Sequence, residues 1–250
     1  MSRQTITRPR VPTIINDMKK ICPYCKKEYE TDRKEQVCCS KACAVHIRKP
    51  EDVGLFRPEI PDRVKKYIVG LITTDGCITG SKTKYIVISL KDEYMIKMIR
   101  DITCPTKKVY KDGDNYQVKW RNKKDFEILE RLRILHRKSF ITEFINLESN
   151  IWDYIRGIFD GDGCAYYSKN GKYKYLCISF STASEHFAYG LNLFLNRNGI
   201  HSIINKDCRN REMYYVKIYR KESVKLFRDK IYSNCDKWKL DRKYLMFSNL

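Results

Sequence analysis

The sequence of 250 residues lacks any apolar run close to the roughly 20 residues that a membrane-spanning helix needs. Its first residues also lack the continuous apolar segment of a secretory signal. We therefore expect a cytoplasmic protein with no membrane partner. The composition is otherwise that of an ordinary globular protein, which argues against disorder. For the 11 cysteines, a reducing compartment disfavours a disulfide framework and favours metal binding or burial.

Acidic residues are scarce, with 30 Asp and Glu against 50 Lys and Arg and a formal net charge of +20. An excess of this size binds polyanions by releasing their counterions, so nucleic acid is the first candidate partner and the nucleoid the first candidate location. Charge alone does not separate DNA or RNA from a ribosomal or membrane surface. The class of function must therefore come from motifs.

Five of the cysteines lie between Cys22 and Cys43, and the other six are scattered and interpreted as small core residues. The run Cys22-Pro-Tyr-Cys25, followed by Cys38-Cys39-Ser-Lys-Ala-Cys43, has the spacing of a four-cysteine zinc site. It resembles treble-clef-like zinc fingers, and that resemblance implies the Zn²⁺ ligands Cys22, Cys25, Cys39 and Cys43. Cys38 in place of Cys39 stays open. Because so short a segment buries little core, bound Zn²⁺ would supply the folding energy.

Beyond residue 60 the chain repeats itself. Residues 67–77, YIVGLITTDGC, align with residues 154–164, YIRGIFDGDGC, at an offset of 87 residues. Each copy continues with strands, hairpin turns and helices, so both are predicted to be αββαββα. The segment before them, PEDVGLFRPEIP, has three prolines and no hydrophobic period, which is typical of a linker. The predicted organisation is a cysteine module at 1–49, a linker at 50–61, a first repeat at 62–147 and a second repeat at 148–250.

Residues 68–76 and 155–163 resemble the two LAGLIDADG helices of single-chain homing endonucleases, and the element order is similar over about residues 62–247. The resemblance implies an α+β fold of two pseudo-symmetric halves, with the motif helices packed at the centre and two sheets forming a saddle over DNA. Glycine inside a helix costs roughly 0.5 to 1 kcal/mol relative to alanine, so Gly70 and Gly157 indicate a close approach of two helices. The flanking side chains expected to bury this seam are Val69, Leu71, Ile72, Ile155, Ile158 and Phe159.

Asp75 and Asp162 occupy the last turn of the two motif helices, where the helix dipole disfavours a carboxylate. A divalent cation between them reverses this penalty, and Mg²⁺ (or Mn²⁺) suits such a site because it takes few protein oxygens. The resemblance assigns both residues as catalytic, with the metal activating water and stabilising the leaving oxygen. A plain helix cap is the alternative for a lone aspartate before glycine, and the matched repeat argues against it.

The two copies differ at one further position of the motif and are similar again later in the chain. The other acidic position of the motif is Asp160 in the second copy but Thr73 in the first, which leaves the metal ligands intact and predicts unequal cutting of the two strands. Later, LHRK at 135–138 matches LDRK at 240–243. The resemblance therefore implies that Lys138 and Lys243 lie near the scissile phosphates, where they would stabilise developing charge. A solvated or phosphate-contacting lysine is the alternative.

Strand alternation predicts a polar face that reads DNA in the major groove, because such faces carry side chains that discriminate base edges and hold phosphates. In β-like segments of each copy, apolar residues alternate with polar ones. Each polar residue taken singly can also be a phosphate contact or plain surface. The predicted DNA-binding residues are Lys82, Lys84, Gln117, Lys119, Arg121, Lys169, Asn170, Lys172, Arg209, Asn210, Arg211, Tyr215, Lys217 and Tyr219.

The sequence thus predicts a monomeric, site-specific homing endonuclease that makes a staggered double-strand break in DNA by metal-dependent phosphodiester hydrolysis. The alternative is a non-cleaving nucleic-acid binder of the same fold, an intron maturase or a regulator, for which RNA is a further partner. Acids at both Asp75 and Asp162 favour cleavage, because a binder does not need them. A ribosome-associated zinc protein explains the charge and the cysteines but not the paired motifs.

Overall fold

The computed structural model describes residues 18–46, 52–80, 83–134, 143–207 and 213–248. The chain divides into two compact units, residues 1–50 and residues 51–250. Within the described ranges, no helix combines the length and the apolar character that crossing a membrane requires.

The smaller unit consists of a hairpin and a short helix. Strands β1 (Met18–Ile21) and β2 (Glu28–Thr31) pair antiparallel, and helix α1 spans Lys41–His46. The ammonium of Lys20 donates to three carbonyl oxygens of the loop after β2, including that of Gln36 at 2.9 Å. These bonds fold the loop back against the hairpin.

The larger unit contains two copies of the order αββαββα, which confirms the predicted fold class. The first copy consists of α2 (Asp62–Asp75), β3 (Gly76–Thr79), β4 (Tyr85–Leu90), α3 (Glu93–Thr103), β5 (Tyr110–Asp112), β6 (Asn115–Trp120) and α4 (Lys123–Arg131). The second consists of α5 (Ile151–Gly161), β7 (Gly163–Asn170), β8 (Tyr173–Thr182), α6 (Glu185–Arg197), β9 (Ile203–Asp207), β10 (Met213–Ile218) and α7 (Lys221–Tyr232). After α7 come α8 (Asp241–Tyr244) and a 3-10 turn, Leu245–Phe247.

Each copy builds one four-stranded antiparallel sheet, in the orders β3-β4-β6-β5 and β7-β8-β10-β9. The hairpins β5–β6 and β7–β8 turn through Gly113 and Gly171, whose φ angles of 58° and 59° favour glycine. Both turns are two residues long.

The first turn of helix α2 is bound to the second repeat. Asp62 is the first helical residue, after the N-cap Pro61. The carboxylate of Asp62 accepts a hydrogen bond from the Asn150 side chain at 2.9 Å. This bond joins the first turn of α2 to the residue that precedes α5.

The core follows the strand alternation that the sequence predicts. Val118 and Trp120 on β6, and Val216 and Ile218 on β10, are fully buried. Helix α3 covers the inner face of the first sheet, and α6 covers that of the second. The motif helices α2 and α5 pack against each other between the two sheets.

The segment predicted as a linker is, from residue 52 onward, part of the first repeat. Leu55 is fully buried, and its N–H donates to the Asp125 carboxylate at 2.7 Å. The N–H of Phe56 (3.1 Å) and the indole N–H of Trp120 (2.7 Å) donate to the same carboxylate. Residues 52–60 therefore pack along the repeat rather than forming a free tether, and Leu55 anchors them.

We predict that a fragment of residues 51–250 folds, whereas one of residues 61–250 is less stable by roughly 3 kcal/mol or more. The shorter fragment loses the buried Leu55 and leaves the buried Asp125 carboxylate with two donors fewer. Urea unfolding of the two fragments measures the difference. Equal midpoints and slopes would show that residues 51–60 contribute nothing to this repeat.

Candidate functional site

Helices α2 and α5 touch at their glycines. A Cβ added to Gly70 would lie 2.2 Å from the carbonyl oxygen of Tyr154, and one added to Gly157 would lie 2.1 Å from that of Tyr67. No side chain fits between the two backbones at this point. The six side chains expected to bury the seam are each at most 1% exposed: Val69, Leu71, Ile72, Ile155, Ile158 and Phe159.

The carboxyl ends of the same helices also meet. Asp75 is the last residue of α2, and Asp162 is the C-cap of α5. A Cβ added to Gly161 would lie 3.0 Å from Asp75 Oδ2 and 1.9 Å from Thr74 Oγ1. The backbone that carries Asp162 therefore runs directly beside the Asp75 carboxylate. Asp75 is half-buried and Asp162 is exposed, so the pair is open to solvent.

The donor set of this pair fits a hard divalent cation. Both carboxylates lie at the negative ends of helix dipoles, and like charges held side by side repel each other. Oxygen-only ligands with open solvent around them are what Mg²⁺ or Mn²⁺ takes, because these ions keep several waters. The close approach of the two helix ends thus creates an electrostatic arrangement that a cation stabilises.

Lys243 on α8 closes the end of α5. Its side chain is 7% exposed, and its ammonium donates to the carbonyl oxygens of Phe159 (2.6 Å), Gly161 (2.8 Å) and Gly163 (2.6 Å). The last carbonyls of a helix have no partner within the helix, and a cation there also opposes the helix dipole. An ammonium has three N–H groups, so these three bonds use all of them.

The same lysine lies within the field of the acidic pair. Burial lowers the pKa of Lys243 to about 8, and the nearby charge of Asp160 acts in the opposite direction. The charges of Asp75 and Asp162 also raise this pKa. The N–H groups of Lys243 face the α5 backbone on both sides of Asp162 rather than the two carboxylates. Its predicted counterpart, Lys138, lies outside the described residues.

Asp160 makes the two repeats unequal. It is fully buried, and its Oδ2 accepts from the Tyr67 hydroxyl (2.8 Å) and the Leu240 N–H (2.9 Å). Among the described residues its Oδ1 has no hydrogen-bond partner, and burial raises the pKa of Asp160 to about 6. The equivalent Thr73 donates its hydroxyl to the Val69 carbonyl within its own helix. Asp160 thus links α5 to Tyr67 on α2 and to the backbone of Leu240. It is not a third carboxylate beside the solvent-accessible Asp75 and Asp162.

Reasoning from the sequence alone misses Arg156. This residue is 2% exposed and donates to the carbonyl oxygens of Trp238 (2.7 Å) and Ile231 (2.8 Å). It also pairs with Asp153 at 2.7 Å, and its guanidinium lies 4.9 Å from the centre of the Tyr67 ring. The available signal was an arginine within an otherwise apolar motif helix.

The cysteine cluster forms in the smaller unit. The Sγ atoms of Cys22, Cys25, Cys39 and Cys43 lie within 4.8 Å of one another, with Cys25–Cys39 and Cys39–Cys43 separations of 3.5 Å. Tetrahedral zinc with Zn–S bonds of about 2.3 Å requires sulfurs about 3.8 Å apart, so the group fits Zn²⁺. Cys38 does not belong to this group of four.

Electrostatics within the cluster also suit a cation. The N–H groups of Cys25 and Cys39 lower the pKa of Cys22 to about 6. Hydrogen bonds to the Cys25 and Cys43 sulfurs raise the pKa of Cys39 to about 12, because crowded sulfurs cannot all ionise unaided. Among residues 18–44, whose burial the structure describes, the only buried apolar side chains are Cys22 and Cys38. Apolar burial alone is therefore a weak source of stability for this unit.

The predicted reading residues of the first sheet are not all on one face. Gln117 and Lys119 point away from the core, and Arg121 is exposed just beyond the end of β6. Lys84 lies just before β4, and its ammonium is 3.9 Å from the Glu130 carboxylate on α4. Lys84 is thus an exposed ion-pair partner of a helix.

On the second sheet, Tyr215 and Lys217 share the face directed away from the core. The strand register adds Tyr166 and Tyr175 to this face. The alternation in the sequence indicates these two tyrosines, but they are missing from the predicted DNA-binding residues. Tyr219 is exposed after β10. Lys169 and Lys172 are exposed at the β7–β8 tip. Lys82, Arg209, Asn210, Arg211 and the side chain of Asn170 lie outside the described structure.

Comparison with known proteins agrees with this architecture. Residues 150–232 match the model of a family described as a LAGLIDADG-like domain. A reverse gyrase from Methanocaldococcus jannaschii is 33% identical over 167 residues, which are 66% of this chain and 10% of that protein. The chain thus spans about a tenth of the length of this curated relative, so the similarity concerns one segment of a much longer protein.

Among solved structures, the LAGLIDADG homing endonuclease I-GzeII in complex with a DNA target is similar, with a TM-score of 0.50 and 12% identity. The match covers 67% of this chain and 83% of that one. I-DmoI, in complex with DNA and Ca, has a TM-score of 0.49 and 19% identity over 68% of this chain and 88% of that one. At 12% identity, the match to I-GzeII shows a shared fold alone.

We predict that Gly157→Ala destabilises the protein by about 3 kcal/mol, because the added methyl group collides with backbone and forces α2 and α5 apart. Gly171→Ala is the matched control: its Cβ meets nothing within 4 Å, so only the positive φ opposes it, at about 1 kcal/mol. Thermal unfolding of both variants gives the comparison. Equal losses in the two variants would contradict a close helix contact.

Proposed function

Because this chain carries a LAGLIDADG-like domain on the fold of the LAGLIDADG homing endonucleases, we propose that it is a site-specific homing endonuclease of this family. In this proposal it makes a staggered double-strand break in DNA by metal-dependent phosphodiester hydrolysis. The observation that carries the proposal is the meeting of Asp75 and Asp162 at the ends of two helices in contact at Gly70 and Gly157.

In this proposal the two aspartates hold Mg²⁺ or Mn²⁺ through carboxylate oxygens. A bound cation of this kind supplies Lewis-acid stabilisation of the phosphodiester and raises the acidity of water. The chain itself fixes the geometry: the glycine contact sets the spacing of Asp75 and Asp162, and Lys243 holds the α5 end that carries Asp162. Two carboxylates in pseudo-symmetric positions suit two strands of one duplex, and one chain provides both, so a monomer suffices.

The two sheets provide the DNA surface. Lys119 is the fifth residue of β6, and Lys217 is the fifth residue of the equivalent strand β10. Both project away from the core. Lysines on such a surface bind phosphates, whereas Gln117 and Tyr215 have the donors and acceptors that can discriminate base edges. The net charge of +20 supports duplex DNA as the partner, as does the DNA target present in the similar I-GzeII structure.

We predict that Asp75→Asn and Asp162→Asn each slow double-strand cleavage in Mg²⁺ by on the order of 100-fold or more. Binding of the same duplex should weaken by no more than about threefold, since the lost group is a metal ligand rather than a DNA contact. A duplex that contains a site cut by the wild type, labelled on both strands, reports the cleavage rate and the binding affinity.

Asp229→Asn is the control for these variants, because Asp229 is an exposed carboxylate on α7 with a neighbouring arginine as its partner. It should cut as fast as the wild type. Wild-type rates in either motif variant would remove the metal-ligand assignment. A wild-type protein that binds duplex tightly and never cuts it would indicate a binding protein of the maturase or regulator kind.

For the smaller unit, we propose that one Zn²⁺ binds Cys22, Cys25, Cys39 and Cys43. The purified protein should contain about one zinc per chain, lost in Cys22→Ser and Cys25→Ser because each removes one of four ligands. Cys38→Ser is the matched control and should keep its zinc. Elemental analysis decides the matter: loss of zinc in Cys38→Ser with retention in Cys39→Ser would exchange the roles of these two cysteines.

A further inference from the structure

The segment of residues 238–247, which carries Lys243, is held by two polar side chains of α5. Arg156 donates to the Trp238 carbonyl at 2.7 Å, and Asp160 accepts from the Leu240 N–H at 2.9 Å. We call residues 238–247 the C-terminal segment. Both α5 side chains are almost completely buried, so their bonds to this segment are shielded from water.

The first repeat also contacts the C-terminal segment. The hydroxyl of Tyr94 at the start of α3 donates to the Lys239 carbonyl at 2.7 Å and accepts from the Asp241 N–H at 3.0 Å. Arg242 pairs with Asp92 at 3.0 Å. These contacts are exposed at one or both partners and contribute little each. The buried bonds to α5 are therefore the ones that fix the path of the segment.

A buried carboxylate such as Asp160 is a costly way to stabilise a fold. Burial of a carboxylate costs several kcal/mol unless its oxygens are fully satisfied, and in the described structure Asp160 Oδ1 has no hydrogen-bond partner. An apolar or hydroxyl side chain would avoid this loss, and the first repeat has Thr73 at the equivalent position. The two hydrogen bonds that Asp160 accepts come from Tyr67 and from the C-terminal segment. Its role is therefore to hold these two parts of the chain in place.

The first repeat has neither an arginine nor an aspartate at the positions equivalent to Arg156 and Asp160. The residues equivalent to Arg156 and Asp160 are Val69, a buried apolar residue, and Thr73, whose hydroxyl donates to the Val69 carbonyl. Neither can offer a buried charge to a returning segment. At these two positions, only the α5 half combines a guanidinium and a carboxylate.

We propose that Arg156 and Asp160 are positioning residues that fix Lys243 against the end of α5, and that they pre-organise the Asp162 half of the site. Lys243 then acts on Asp162 through the Gly161 and Gly163 carbonyls on either side of it. The consequence is an order of cutting: the strand served by Asp162 is cut before the strand served by Asp75. This inference rests on the proposed nuclease function and names the half of the site that acts first.

The role of Lys243 in this account differs from the phosphate contact that its motif implies. Its three bonds, of 2.6 to 2.8 Å, direct the ammonium into the α5 end, and they hold the backbone on both sides of Asp162. A charge bound in this way fixes a metal-ligand geometry before DNA arrives. Pre-organisation of this kind lowers the reorganisation that the reaction requires.

The test replaces Asp160 with the residue of the first repeat. Asp160→Thr should slow the strand that the wild type cuts first by about tenfold, while the other strand stays within about twofold. Thr73→Val is the matched control in the first repeat and should leave the order of cutting unchanged. Asp160→Asn keeps an oxygen acceptor for the Leu240 N–H and should restore the wild-type order.

Amide hydrogen exchange provides a readout that does not depend on cutting. In Asp160→Thr, exchange at the Leu240 N–H should rise by at least about tenfold, whereas Asp160→Asn should stay close to the wild type. If Asp160→Thr does not fold, Leu240→Pro removes the same N–H from the other side of the bond. The readout for Leu240→Pro is the order of cutting, because proline has no amide hydrogen to exchange. The φ of −86° at Leu240 lies about 20° from the value that proline prefers.

Strand assignment completes the design. Because Asp75 and Asp162 share the cation, each Asn variant slows both strands, and the strand that Asp162→Asn slows more is the one that Asp162 serves. Slowing of that strand by Asp160→Thr together with faster exchange at Leu240 supports the inference. Equal slowing of both strands, slowing of the strand that Asp75→Asn slows more, or unchanged exchange would overturn it. A wild-type protein that cuts no duplex would refute the nuclease function itself, and the exchange result would then stand alone as evidence on the anchor.

Discussion

The contact between Gly70 and Gly157 is the constraint on which the larger unit depends. Because no Cβ fits between the two backbones, α2 and α5 pack with their backbones in direct contact, and their ends meet as a consequence. Asp75 then lies beside the backbone of Asp162, and each repeat carries its sheet outward from the same pair of helices. A wider helix spacing would separate the carboxylates and tilt the two sheets apart in a single step.

Local patterns in the sequence were sufficient for much of this picture. The repeat offset and the glycines predict paired helices, strand alternation predicts the buried faces of β6 and β10, and element order predicts the fold. The bonds made by Arg156, Asp160 and Lys243 join residues about 75 to 84 positions apart, and no local period indicates such partners. The proline-containing segment was similarly misleading, since its prolines and missing hydrophobic period do not reveal that Leu55 is buried.

The two units solve the problem of stability in different ways. The larger unit has a continuous apolar core across both repeats, and it tolerates a buried carboxylate with one unsatisfied oxygen. The smaller unit buries little apolar surface in its described residues and instead gathers four sulfurs. Arg156 and Asp160 of α5 have a different effect. They favour one geometry of the helix end that carries Asp162 over the maximum stability of the fold.

The central claim is that Asp75 and Asp162 share one cation site. The most direct measurement replaces Mg²⁺ with Fe²⁺ in the DNA complex and adds ascorbate and peroxide, so that radicals cut the polypeptide beside the bound metal. The account predicts peptide fragments ending near both Asp75 and Asp162, suppressed together by excess Mg²⁺. Fragments near only one of these residues, or cutting that Mg²⁺ does not suppress, would contradict a site built from both helix ends.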